Sequence, residues 1–284
     1  MISFSKLKRT NQLLIILIII WGALALIFSI FDLVISKMIV YKHQDLETWN
    51  WGNVGGWYGD NGRDALMILS FVIIIGSFFK SLKHQRISAY VAIILCFVRA
   101  FNETLENEKN NVTEMYIAII FICVLLIISW KKDWKRYRIV AFSCIILIFV
   151  SKNIISFINT LSGRARPYQV SSGELSYTPW YIFTGGPGTS FPSGHTTMAC
   201  SFLPLLFFIK EENIKKELKV LIAAGVIGWI LFVAISRLLL GKHFPSDVLF
   251  PIMITSVLTI LLYKLFYENK HLFTQLDLSE EHNV

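Results

Sequence analysis

Three short polar stretches interrupt an otherwise apolar chain, and each carries residue types that handle phosphate. They are "GRARP" from Gly163 to Pro167, "PSGH" from Pro192 to His195 and "SRLLLGKHFPSD" from Ser236 to Asp247. Pro192 and Ser193 are helix-start residues, since serine caps orphan N–H groups and proline suits the first turn. The N–H groups of Ser193, Gly194 and His195 are then expected to face an anion, with glycine letting it approach closely. Arg166 and Arg237 add forked donors matched to phosphate oxygens. His243 and Asp247 are four apart, so a helix there sets both on one face. The carboxylate then holds one imidazole nitrogen and leaves the other as a nucleophile. His195 has no carboxylate close in sequence and suits a general acid. Taken singly, each stretch has a plainer reading: a helix cap, a basic interfacial anchor, a satisfied loop histidine. Together, at helix ends in a chain that otherwise hides charge, they read as a phosphate site.

The elements that must position them are membrane helices. The chain has 284 residues, 55% hydrophobic and 16% charged, too apolar for an ordinary soluble domain. Runs of spanning length lie near 13–35, 65–82, 87–101, 114–130, 138–160, 193–210, 218–240 and 246–266. The expected fold is therefore all-α, a polytopic bundle of about eight helices. The first run follows Lys6, Lys8 and Arg9 as a signal peptide would. It is too long, and no small-residue cleavage site follows, so it reads as a retained helix. The third run is short and carries Arg99.

The loops Lys80–Arg86, Lys131–Arg138 and Lys210–Lys219 are basic, like the N-terminus, whereas Asn102–Glu114 is acidic. Eight crossings put every basic segment in the cytoplasm and all three polar motifs on the outer face. The net charge of +8 thus belongs to short cytoplasmic loops and does not point to nucleic acid. The loop Lys37–Arg63, with Trp49, Trp51, Trp57 and Tyr58, reads as an interfacial aromatic belt. Cys96, Cys123, Cys144 and Cys200 sit in apolar runs without metal-ligand spacing and read as small buried hydrophobes.

The three clusters resemble the type 2 phosphatidic acid phosphatase (PAP2) superfamily, whose pattern is K-x6-R-P, then P-S-G-H, then S-R-x5-H-x3-D. Arg166-Pro167, Pro192 to His195, and Ser236-Arg237 with His243 and Asp247 match it. The resemblance covers about residues 87–267, a six-helix catalytic core. Residues 1–86 would be an N-terminal helix pair with an outer Trp-rich loop, and 268–284 a cytoplasmic tail. The pattern's lysine falls on Asn159, a departure for which Arg164, Lys152 and Lys242 are candidate substitutes.

What the resemblance implies is a set of roles. His243 attacks phosphorus to form a phosphohistidine, Asp247 orients it, and His195 protonates the leaving group. Arg166, Ser193, Gly194 and Arg237, with Arg164, hold the phosphoryl oxygens. No metal or cofactor is implied. The expected function is a metal-independent membrane phosphatase acting on a lipid phosphomonoester or pyrophosphate at the outer face. The loop Tyr168–Thr189, with Glu174, Trp180 and Tyr181, is expected to help select the lipid. A lipid phosphotransferase using the same intermediate, or a weakened lipid-binding or transport protein, are the alternatives. The expected partners are the lipid phosphate and membrane lipids, with no nucleic acid.

Overall fold

The computed structural model describes residues 8–40, 50–105, 109–211 and 215–269. The regular structure there is all helical. Four long helices come first: α1 (Arg9–Val40), α2 (Asn50–Ser77), α3 (Leu82–Leu105) and α4 (Lys109–Ile128). A 3₁₀ turn (Trp134–Tyr137) leads into α5 (Arg138–Ser162), and α6 (Pro167–Ser171) follows. After an irregular stretch come α7 (Gly194–Cys200), a 3₁₀ segment (Leu203–Phe207) and α8 (Phe208–Glu211). The chain closes with α9 (Lys216–Leu239), α10 (Pro245–Tyr263) and a π-turn (Lys264–Glu268).

A helix satisfies its own backbone hydrogen bonds, so apolar runs of this length adopt it where water is absent. Among the described residues, four segments are long and apolar enough to cross a membrane: Arg9–Ile39, Trp134–Ser171, Lys216–Leu239 and Pro245–Glu268. Met115–Ile127 of α4 is apolar but shorter. Large apolar side chains point outward from several helices, among them Ile19 and Ile30 of α1, Ile94 of α3 and Leu221 of α9. That is the expected face toward lipid.

Three expected features differ. The run 193–210 is not one helix: α7 ends at Cys200 and the 3₁₀ segment holding Pro204 follows. Proline has no N–H to continue the ladder and its ring crowds the preceding turn. The outer loop 37–63 is shorter than expected, because α1 runs to Val40 and α2 already starts at Asn50. In the acidic stretch 102–114, the described residues 102–105 and 109–114 are helical. Trp49, the side chains of Trp51, Trp57 and Tyr58, and nearly all of the tail 268–284 lie outside the described residues.

The helices alternate in direction, so each end of the bundle has its own chemistry. At one end, Lys264 Nζ donates to Asn11 (2.7 Å) and Thr10 Oγ1 to Glu268 (2.7 Å). There too Gln85 donates to Asp133 (2.8 Å) and Arg138 Nε to Ser77 Oγ (2.9 Å). The basic segments after α2 and α4 are thereby tied together. The other end collects the C-termini of α1, α5 and α9 with the N-termini of α2, α7 and α10, and all three polar motifs lie there. α1 packs on α10, and α2 packs on α3, α4, α5, α7 and α9, so the first two helices are built into the bundle. Cys96, Cys144 and Cys200 are buried in its apolar clusters, while Cys123 is exposed.

Candidate active site

The site begins with a close backbone approach. α5 ends at Gly163, whose φ of 58° is left-handed. A Cβ there would collide with the backbone of Gly186. Glycine therefore lets residues 162–165 lie against 184–190, where Thr184 N donates to Ser162 O (3.1 Å) and Ser190 N to Arg164 O (2.9 Å). The "GRARP" stretch is thus placed beside the strand-like segment that leads into "PSGH".

α10 supplies the second wall. His243 precedes this helix, because Pro245 occupies its first turn. The four-residue spacing to Asp247 is therefore not a helical one. Asp247 is buried, and its Oδ2 accepts from Phe244 N (2.7 Å) and from Ser190 Oγ (2.5 Å). His243 Nδ1 lies 2.7 Å from Ser190 O but 3.7 Å from Asp247 Oδ2. A carbonyl can only accept, so Nδ1 carries the proton and Nε2 keeps its lone pair. The expected direct carboxylate–imidazole bond is replaced by an indirect hold, with Asp247 fixing the hydroxyl of Ser190 while the carbonyl of Ser190 fixes His243.

Arg164 is corrected as a phosphate ligand. It is 0% exposed and does not line the cavity. Its Nη1 donates to Asp247 Oδ1 (2.6 Å) and Ser246 Oγ (2.8 Å), its Nη2 to Asp32 Oδ2 (2.9 Å) and its Nε to Thr178 O (2.8 Å). Two buried carboxylates claim the guanidinium before any phosphate can. Asp32 of α1, also 0% exposed, accepts from Ser246 N (2.9 Å) as well. It was missed by the sequence reading. The signal was available, because a lone acid deep in an apolar run is expensive unless paired.

The front of His243 is a cavity of about 310 Å³. Arg166, Gly194, His195 and His243 line it, joined by Asp60 and Arg63 of α2. It continues down α5 past Asn159 and Lys152 to Ile148, roughly 16 Å of helix at 1.5 Å per residue. Arg166 Nη2 donates to Thr189 Oγ1 (3.1 Å), while its Nε is buried with no partner. A Cβ on Gly194 would meet nothing within 4 Å, so a larger residue would fill cavity space. Ser193 plays a different part from the expected one. Its N–H already donates to Asp247 O (2.8 Å), and its hydroxyl caps α7 through Thr196 N. Arg237, 5% exposed at the end of α9, does not line the cavity but acts on the charge of Asp60 and Arg166 from behind.

Asp60 and Arg63 also escaped the sequence reading, because their glycine-rich surroundings read as loop. Asp60 Oδ2 lies 3.7 Å from His195 Nε2, and its Oδ1 is buried without a partner. Arg63 holds Asp64 through Nε and Nη2, both at 2.5 Å. Burial first, and then the charges of Arg237, His243 and Arg166, pull His195 down to about 4. The ring is therefore neutral in the empty site at pH 7, and an arriving anion favours its protonation.

Of the substitutes for the missing lysine, Lys152 lines the cavity, whereas Lys242 lies over the ring of Tyr168 (4.7 Å). Asn159 itself donates through Nδ2 to Thr189 O and Phe191 O, both at 3.1 Å. Of the stretch 168–189, only Thr189 reaches the cavity. Trp180 instead packs on Phe250 (4.5 Å) and donates to Ser29 Oγ (3.0 Å), pinning the loop to α10 and α1.

Comparison with known proteins bears on the same region. Residues 136–271 match the family model described as PAP2 superfamily. The match starts just before α5, so α1 to α4 lie outside it. Over 30% of its length the chain is 32% identical to phosphatidylglycerophosphatase B of Haemophilus influenzae, and it spans 36% of that relative. No solved structure matches the chain. The three motifs gather around one cavity, and all of them lie inside residues 136–271, the segment that is similar to the PAP2 superfamily.

Proposed function

We propose that the protein is an integral membrane lipid phosphatase that works through a phosphohistidine on the extracytoplasmic side. The observation that carries this is His243, buried, fixed by Ser190 O through Nδ1 and lining a cavity shared with His195 and Arg166. Its Nε2 lone pair attacks phosphorus, the P–O bond to the lipid breaks, and His195 gives a proton to the departing oxygen. Water then attacks phosphorus, the P–N bond breaks, and His195 takes the water's proton as inorganic phosphate leaves. Arg166 and the backbone at Gly194 meet the charge on the phosphoryl oxygens, a task that positioned donors can perform without a metal. The lower cavity, with Ile148 and Ile155, suits the apolar part of a lipid. The cluster of lysine and arginine at the opposite end supports a cytoplasmic location for that end and an outer one for the site.

The named relative makes phosphatidylglycerophosphate the first substrate to try, beside phosphatidic acid, prenyl pyrophosphates and lipid A phosphates. The test is phosphate release by the purified protein from this panel, with and without a chelator, together with acid quenching of a ³²P-labelled substrate. Turnover that survives chelation and leaves an acid-labile, base-stable label on the wild type but not on His243→Ala is expected. Phosphate released to a lipid acceptor but never to water would replace hydrolysis by transfer. Dependence on added magnesium would overturn the metal-free reading.

A further inference from the structure

His195 has a problem that its own domain does not solve. As a general acid it must carry a proton, yet its charged neighbours within residues 136–271 are Arg237 and Arg166, both of which oppose a positive ring. The carboxylate that faces it comes from elsewhere. Asp60 belongs to α2, outside residues 136–271, and its Oδ2 lies 3.7 Å from His195 Nε2. A movement of about 1 Å brings the pair to hydrogen-bond distance. The other oxygen, Oδ1, is buried and has no partner. The Asp60 side chain is 44% exposed and lines the cavity, so it is presented to the site and not spent on the packing of α2. α2 contacts both α7, which carries His195, and α9, which carries Arg237, so the placement is built into the bundle.

We propose that Asp60 is the positioning residue for His195, an acid–base partner contributed to the site by a helix from outside the PAP2-like segment. The inference rests on the phosphatase reading, in which His195 protonates the leaving oxygen. In the first step the proton on His195 Nδ1 passes to the oxygen leaving phosphorus, while Asp60 accepts from Nε2–H and holds the ring in place. In the second step the ring regains a proton from the attacking water. Neither step changes the protonation of Asp60. The groups around the pair are Arg63 and Asp64 on α2, Arg237 on α9, Arg166 before α6 and His243 before α10. Asp60 is the carboxylate that meets the imidazole itself.

The role predicts a dependence on the leaving group, which simple support of the fold would not produce. An alkyl oxygen of a lipid needs a proton to leave, whereas the aryl oxygen of p-nitrophenyl phosphate does not. The experiment compares the full-length wild type with Asp60→Asn, Asp60→Glu and His195→Ala on the best lipid phosphate and on p-nitrophenyl phosphate. General acid catalysis contributes about 10²–10⁴-fold, so loss of its positioning residue is expected to lower kcat/KM on the lipid by roughly 30-fold. On p-nitrophenyl phosphate kcat/KM, which reports only the steps up to departure of the leaving oxygen and not the hydrolysis of the phosphohistidine common to both substrates, should stay within about threefold, and His195→Ala should show the same bias in kcat/KM more strongly. A carboxylate favours the protonated ring, and the protonated ring is the active form. Asp60→Asn should therefore move the alkaline limb of the rate profile to lower pH, and Asp60→Glu should restore most of the rate. Equal losses on both substrates, or an alkaline limb that does not move, would overturn the inference while leaving the phosphatase reading intact. A wild type that releases phosphate from neither substrate would overturn that reading, and this inference with it.

Discussion

The wall behind His243 and the cavity in front of it treat buried polar groups in opposite ways. Behind, Arg164 and the carboxylates of Asp32 and Asp247 are fully enclosed, and between them they bond Ser190, Ser246, Thr178 O and Phe244 N. In front, Arg166 Nε and Asp60 Oδ1 are buried and unmet. The difference separates scaffold from working surface. A charge whose valences are all taken holds backbone in place, whereas one with an unmet atom beside a cavity can take a ligand. Arg164 and Arg166 are two residues apart and fall on opposite sides of this division.

The largest effect expected on the front side is at His243, the proposed nucleophile. His243→Ala should remove turnover entirely, because no neighbouring side chain can form the bond to phosphorus. Membrane insertion and thermal unfolding should change little, since the ring is held by a hydrogen bond to the carbonyl of Ser190 and anchors no helix. Retention of most phosphatase activity by His243→Ala would break the comparison at its centre, as the cavity would then have some other purpose.

The back wall should fail differently. Arg164→Ala leaves Asp32 and Asp247 facing each other, buried and unpaired, and removal of one partner from such a set costs about 3–5 kcal/mol. The expected result is loss of folded protein, read as a lowered Tm in detergent and poor recovery, and not merely a slower enzyme. Asp32→Asn should lower Tm less, because its amide oxygen can still accept from Arg164 and Ser246 Oγ as Oδ2 does, and only the bond from Ser246 N is lost. If Arg164→Ala folds with normal Tm and loses only affinity for phosphate, then Arg164 belongs to the front after all.

These two arginines also show where the sequence stops being readable. The helical class, the shared end of the bundle for the three motifs and the pairing of His195 with His243 could all be read from local spacing and alternating charge. Arg164 could not, because its side was decided by Asp32, 132 residues away. Two arginines on either side of one alanine look alike until tertiary contacts divide them. The His243–Asp247 spacing misled in another way, by assuming a helix that Pro245 only begins. Asp60 was hidden because glycines disfavour helix, yet packing of α2 against five other helices overrides that preference. The break at Pro204 was legible in principle, since an interior proline ends a helix wherever it falls.

The smallest expected effect lies at the seam between the two walls. Asn159 occupies the position of the lysine in the PAP2 pattern, but an amide does not act as a cation. Its amide ties α5 to Thr189 O and Phe191 O, the carbonyls on either side of Ser190, whose own carbonyl holds His243. Asn159→Ala removes two hydrogen bonds, each worth about 0.5–1.5 kcal/mol net. If part of that loss appears as misplacement of His243, kcat/KM should fall on the order of tenfold, which is about 1.4 kcal/mol of barrier. Asn159→Lys is the sharper comparison. An ammonium can donate to the same two carbonyls, but on a longer stem that costs more rotamer entropy, and Arg63, Arg166 and Lys152 already line the cavity. Its kcat/KM on the best lipid phosphate should therefore fall between those of the alanine variant and the wild type. A lysine variant faster than the wild type would mean that the site lacks a cation and that the clamp on Ser190 is incidental. An alanine variant with wild-type kinetics would mean that the 189–191 segment needs no help from α5 to hold the nucleophile.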